Sequence, residues 1–87
     1  MIREGYGKVL GRPGLALWRR ECCIVALLAV LGVGPQLRSH LRGALRTGAH
    51  PTLVDGVLQA VRPRIPDDRR ETVRRVWQEV LARWEER

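Results

Sequence analysis

The sequence contains no phenylalanine, one tyrosine and one methionine among its 87 residues, so a core built on Phe is excluded. Leucine, valine, alanine and three tryptophans have to form the core instead, and these side chains suit packed helices. A chain of this length makes one domain, which we place over residues 1–87. The composition therefore predicts an all-α fold, a compact bundle of four to five helices.

Cysteine is also scarce, and the two that occur are adjacent, at Cys22 and Cys23. Neighbouring residues on a helix point about 100° apart, so this pair forms neither a disulfide framework nor a metal site. We interpret both as small core residues, because buried cysteine is usually inert.

No long hydrophobic run is present. The apolar run from Cys22 to Gly34 is shorter than the ~20 residues that span a bilayer. The opening "MIREGYGKVL" lacks the basic-then-apolar pattern of a signal peptide. We therefore expect a cytoplasmic protein that does not enter a membrane.

Basic residues exceed acidic ones and give a net charge of +7. The whole excess lies in residues 1–66, which hold ten bases and three acids, whereas residues 67–87 hold six of each. Such a charge can attract nucleic acid, a membrane surface or a small acidic substrate. A nucleic-acid-binding function ranks last, because no recognisable binding motif occurs and the tryptophans are expected in helix packing.

Glycine and proline divide the chain into helices. We predict helices over Leu15–Leu31, over Pro35–Thr47 with Gly48 at its C-terminal cap, and from His50-Pro51 to about Val61. Asp67 is predicted to cap the N-terminus of a fourth helix, and "RPRIPDD" before it resembles a linker.

Apolar side chains recur at helical spacing in the last three of these segments. The stripes are Leu37, Leu41, Ala44 and Leu45 in the second helix, Leu53, Val54, Val57, Leu58 and Val61 in the third, and Val73, Val76, Trp77, Val80, Leu81 and Trp84 in the fourth. These faces are predicted to form the core.

Two ionisable residues interrupt the apolar faces. His40 takes the i+3 place beside Leu37, and Glu21 lies four residues after Leu17 and four before Val25. Burying charge is costly unless it is paired, so we predict that Glu21 and His40 meet. The pair is either a structural hydrogen bond of the core or an acid–base pair in which His40 moves a proton on a substrate.

Residues 6–51 carry three further motifs: the lead-in "YGKVLGRPGL", the Arg20-Glu21 pair that opens an apolar helix, and "LRSHLRGALRTGAHP", in which His40 follows Glu21 by nineteen residues. Together they resemble the core of the carboxymuconolactone decarboxylase family, which includes the alkylhydroperoxidase-D-like proteins. The resemblance covers a little over half of the chain.

This resemblance implies an all-helical fold that assembles into trimers or hexamers, with sites near subunit contacts. It also implies a reaction without metal or organic cofactor, the removal of CO2 from a carboxylated unsaturated lactone in aromatic-compound breakdown. His40 would transfer the proton and Glu21 would be its partner. The peroxidase branch instead uses a C-x-x-C motif, whose positions here are Val33 and Gln36, so peroxidase activity is not expected.

The predicted substrate is a small acid, which arginines can hold with two hydrogen bonds each. Arg38, Arg42 and Arg12 are the candidates, and Tyr6 is a candidate hydrogen-bond donor. The arginine row and Tyr6 could equally form ordinary surface.

Three functions stay open: a cofactor-free lyase, a noncatalytic helical oligomerisation module of the same fold, and a basic nucleic-acid-binding protein. Self-association is expected in either of the first two, because a lone chain of this size buries only ~60–65% of its unfolded surface.

Overall fold

The computed structural model describes residues 16–32 and 34–86. This part of the chain forms four α-helices and no strand, with one turn of 3₁₀-helix, Arg62–Arg64, before the last helix. The helices are α1 (Leu17–Leu31), α2 (Gly34–Arg46), α3 (Pro51–Val61) and α4 (Asp67–Glu85). The predicted all-α class is confirmed, with helix boundaries close to the predicted ones.

Glycines in the left-handed region end the first two helices. Gly32 has φ 75° and donates its backbone N–H to Leu28 O at 2.8 Å. Gly48 has φ 119°, and its N–H bonds to Leu45 O at 3.2 Å while Ala49 N–H bonds to Ala44 O at 2.9 Å. These two bonds form a Schellman motif, so Gly48 has the predicted terminating role.

The last two helices begin differently from each other. At the start of α3, Nδ1 of His50 accepts the backbone N–H of Thr52 at 3.1 Å. The prediction that Asp67 caps α4 is wrong, because Pro66 occupies the cap position and its carbonyl accepts the N–H of Arg69 at 2.9 Å. Asp67 is therefore already helical, and its carboxylate pairs with Arg70 one turn later at 3.0 Å.

Helix α2 is central, since it packs against each of the other three helices, and α1 also packs against α3. Every fully buried residue of the described chain is apolar, and Val25, Leu37, Leu41 and Val54 are the largest of them. Each such side chain contributes roughly 1.5–3 kcal/mol on burial.

The predicted core stripes are largely confirmed. All four residues of the α2 stripe are buried, as are Val54 and Leu58 of α3 and the first four residues of the α4 stripe. Leu81 and Trp84 are half-buried. Leu53 is 41% exposed, so its place in the α3 stripe is wrong, because it lies at the outer edge of that face.

The segment that resembles a linker is packed. Ile65 is only 3% exposed, and its carbonyl accepts a hydrogen bond from Arg70 Nε at 3.0 Å. Trp77 adds a second connection to α3, because its indole N–H donates to Asp55 at 3.1 Å. Arg69 also donates to Leu31 O at 2.5 Å, which sets a cation at the negative end of the α1 dipole.

None of the described helices combines the length and the apolar character that crossing a bilayer requires.

Candidate functional site

The two predicted ionisable side chains meet between α1 and α2. Nδ1 of His40 lies 2.6 Å from Oε1 of Glu21, and both residues are half-buried, with 35% of the His40 side chain and 19% of the Glu21 side chain exposed. The predicted contact is confirmed. Because solvent still reaches both side chains, the pair is accessible to a small molecule.

Gly43 makes room for this contact. A Cβ atom at Gly43 would lie 3.2 Å from Glu21 Oε1 and 3.3 Å from its Cδ, tighter than most real contacts. The absence of a side chain lets the carboxylate lie against α2, one turn after His40. Sequence reasoning missed this residue. The sequence does contain an indication of its role, because a glycine inside a helix costs about 1 kcal/mol relative to alanine. A glycine at such a position usually has a packing reason.

The hydrogen bond determines which imidazole nitrogen is free. A carboxylate accepts hydrogen bonds, so the proton of the neutral ring belongs on Nδ1 and faces Glu21. Nε2 is then the nitrogen that can take or give a proton. Within the described part of the chain, Nε2 makes no hydrogen bond.

The pair opens onto a cleft of about 380 Å³. Its lining consists of Glu21, Ser39, His40, Arg42, Gly43 and Arg46. The cleft therefore combines an acid, an imidazole and two guanidinium groups, which is a set that can bind an anion beside a proton-transfer group.

The arginines of α2 divide between two surfaces. Arg42, one of the predicted substrate-binding residues, lines the cleft. Arg46 also lines it. Arg46 continues the same i, i+4 row but was not among the predicted site residues. Arg38 does not line the cleft. Its guanidinium instead donates to Glu79 of α4 at 2.5 Å, and this hydrogen bond holds the pKa of Glu79 below its ordinary value.

The other two predicted substrate-binding residues, Arg12 and Tyr6, lie outside the described residues, as does Val33 at one position of the peroxidase motif. The second position, Gln36, is an exposed residue of α2.

The two cysteines have different environments. Cys22 is buried in the core, and burial raises the pKa of its thiol, with Cys23 and Glu21 acting in the same direction. Cys23 is exposed, so the prediction that both are core residues is wrong for Cys23. The reason is the helical turn between neighbours, which directs adjacent side chains to different faces. Across residues 16–32 and 34–86, His, Cys, Asp and Glu form no cluster of three that could hold a metal ion.

Comparisons of the chain with protein-family models, with curated proteins and with solved structures find no match. The family resemblance over residues 6–51 thus stays a prediction from the motifs.

Proposed function

We propose that this protein is a cofactor-free lyase that decarboxylates a small carboxylated lactone or a related acid. His40 is the proton-transfer group and Glu21 is its partner. The observation that carries the proposal is the 2.6 Å contact between His40 Nδ1 and Glu21 Oε1 in a solvent-open cleft. The resemblance of residues 6–51 to the carboxymuconolactone decarboxylase family also supports it.

In the proposed reaction, the bond between the substrate carbon and its carboxylate breaks and CO2 leaves. The electron pair of that bond moves into the conjugated lactone. The carbon that gains electron density takes a proton from Nε2 of His40, which enters the reaction as the imidazolium with a proton on each ring nitrogen and leaves it with the remaining proton on Nδ1. Water then returns a proton to the imidazole. Imidazole suits this task because it exchanges protons near neutral pH. Glu21 accepts the Nδ1–H hydrogen bond and holds the ring in one orientation.

In this proposal Arg42 binds the substrate, because its guanidinium lines the cleft and can hold a carboxylate with two hydrogen bonds. Arg12 and Tyr6 stay in the proposal only on the hydrogen-bonding chemistry of their side chains. The family resemblance underlies two further elements, an alkylhydroperoxidase-D-like fold and assembly into trimers or hexamers. A cytoplasmic location is also part of the proposal, and it rests on the short apolar run and the opening segment of the sequence.

The test is an assay for loss of the lactone's ultraviolet absorbance together with CO2 release. We expect turnover by the unmodified protein and a loss of about 10²–10⁴-fold in His40→Ala. Glu21→Gln should also lose activity, because an amide is a poorer partner for a protonated imidazole. His50→Asn is the matched control: it removes the other histidine but keeps an oxygen that caps α3, so it should retain turnover.

Retained turnover in a folded His40→Ala variant would contradict the assignment of the proton-transfer residue. If the unmodified protein has no turnover while His40→Ala only lowers the melting temperature, the pair is structural.

The second candidate is a noncatalytic oligomerisation module. A specific observation favours it: Leu17, Leu27 and Leu31 of α1 are 53%, 59% and 54% exposed. Their spacing places them on one side of the helix, together with the half-buried Ile24. In this function the exposed leucines bind a second copy, and the Glu21–His40 bond stabilises the fold.

A further inference from the structure

A second and larger groove, of about 570 Å³, lies between α2 and the C-terminal half of α4. We call it the arginine groove. Its lining consists of Arg38, Arg42, Leu45, Arg46, Glu79, Val80, Arg83, Trp84 and Glu86. Arg42 and Arg46 also line the Glu21–His40 cleft, so the two depressions share a wall.

The cations of this groove are only partly neutralised. Arg38 pairs with Glu79. By contrast, Arg42, Arg46 and Arg83 make no hydrogen bond or ion pair with any described residue. Guanidinium groups that face one open groove repel each other, and a bound anion would relieve this repulsion while accepting their N–H groups.

The floor of the groove is apolar. Leu45 and Val80 are 3% and 4% exposed and present little surface, so the half-buried indole of Trp84 offers most of the apolar area that a ligand can reach. The groove volume falls in the range of small-molecule sites, and its lining is mostly charged.

We propose that the arginine groove binds a small amphipathic carboxylate. The carboxylate contacts Arg42 and Arg46 at the shared wall, and a planar apolar body packs against the half-buried indole of Trp84. The inference rests on the proposed function in one respect, because it places the ligand's carboxylate at the wall shared with the Glu21–His40 cleft and so names the substrate class of that site. Binding itself requires no catalysis.

Two features favour a small carboxylate over nucleic acid. Glu79 and Glu86 line the same groove and would repel a continuous phosphate backbone. The arginine row on α2 is also short, since the eight helical rises between Arg38 and Arg46 extend only about 12 Å.

The binding test is an NMR titration of the ¹⁵N-labelled full chain with 4-phenylbutyrate. We expect saturable shifts of the Trp84 indole N–H. The Trp77 indole N–H should not move, because it is bonded to Asp55 and does not line the groove. The neutral analogue 4-phenylbutanamide should bind about tenfold more weakly, and so should acetate, which lacks the apolar body.

Arginine variants complete the test. Arg42→Gln and Arg46→Gln should each weaken binding of 4-phenylbutyrate about tenfold. Arg64→Gln removes the same charge from an exposed residue outside the groove and should leave binding unchanged. Equal weakening by Arg64→Gln, or equal binding of the amide, would overturn the proposal. Displacement of the probe by a short DNA duplex at physiological salt would also overturn it and assign the groove to nucleic acid.

The lyase proposal and the arginine-groove proposal can be refuted independently of each other. His40→Ala should keep 4-phenylbutyrate binding, because His40 does not line the arginine groove. Probe binding without any lactone turnover would refute the lyase and leave the groove assignment standing. Turnover that Arg42→Gln and Arg46→Gln leave unchanged, with no shift at Trp84, would refute the groove and the role of Arg42 in substrate binding, and it would leave His40 as the proton-transfer group.

Discussion

At the scale of single residues, Gly43 controls how closely Glu21 approaches α2. We predict that Gly43→Ala displaces the carboxylate, because the new Cβ would meet Glu21 Oε1 at 3.2 Å. Gly56 is the matched control, since it lies inside α3 and a Cβ added there would have nothing within 4 Å. Gly56→Ala should raise the free energy of unfolding by about 1 kcal/mol. Gly43→Ala should raise the free energy of unfolding by less than Gly56→Ala does.

Urea denaturation of both variants measures this difference, and the ring NMR signals of His40 report directly on the hydrogen bond. If Gly43→Ala is stabilised as much as Gly56→Ala and the His40 signals do not change, Gly43 has no role in positioning the pair.

The Arg38–Glu79 pair predicts a pH dependence. The hydrogen bond from Arg38, with a smaller effect of Arg75, lowers the pKa of Glu79 in the folded protein. In the unfolded chain a glutamate titrates at about 4.3. The stabilisation from this pair is therefore complete above that pH and is lost as the pH falls through the lower folded pKa. Because both side chains are exposed, we expect a small effect.

An NMR titration of the Glu79 carboxyl carbon measures this shift. Arg38→Gln should return the pKa of Glu79 upward toward its ordinary value. Arg42→Gln removes a charge one turn away but no contact with Glu79, and it should change the pKa much less. An unchanged Glu79 pKa in Arg38→Gln would show that the pair does not persist in solution.

The pairing of Glu21 with His40 could be predicted because both interrupt apolar faces and burial makes partners necessary. The role of Gly43 and the contact of Arg38 with Glu79 could not be predicted from the sequence. Both depend on how α2 is rotated against α1 and α4, and helical spacing within one segment does not contain that information.

At the scale of elements, Gly, Pro and apolar spacing predicted all four helices. The segment before α4 was the exception, because two prolines and adjacent charges are typical of a linker. Ile65 is the only large apolar residue in "RPRIPDD", and a single residue has no periodicity that could reveal its burial. Helical spacing was also insufficient for Leu53. Its position fits the α3 stripe, but its side chain lies at the edge of the interface.

These two residues give a prediction about stability. Ile65→Ala should lower the free energy of unfolding by about 2–5 kcal/mol, because it removes a 3% exposed side chain from the core. Leu53→Ala removes a side chain of the same size that is 41% exposed and should cost much less. Chemical denaturation of both variants checks this order, and equal losses would mean that residues 62–66 behave as a linker in solution.

At the scale of the whole molecule, one apolar side of α1 faces outward while the neighbouring side, with Cys22, Val25, Leu28 and Ala29, packs into the core. A helix that is apolar on both sides is typical of a buried position. The small size of the chain adds a second reason for association, because subunits that share a core bury more surface than one chain can alone.

We therefore predict that the protein self-associates through α1. Leu27 is the most exposed of its large apolar residues, and Leu27→Glu should shift the equilibrium toward monomer, because a carboxylate cannot be buried there without a partner. Leu53→Glu places the same charge on α3 and should leave the assembly intact. Sedimentation or light scattering over a range of concentrations measures the mass against the 9.9 kDa of one chain. A monomeric unmodified protein, or equal dissociation by both variants, would contradict assembly through this face.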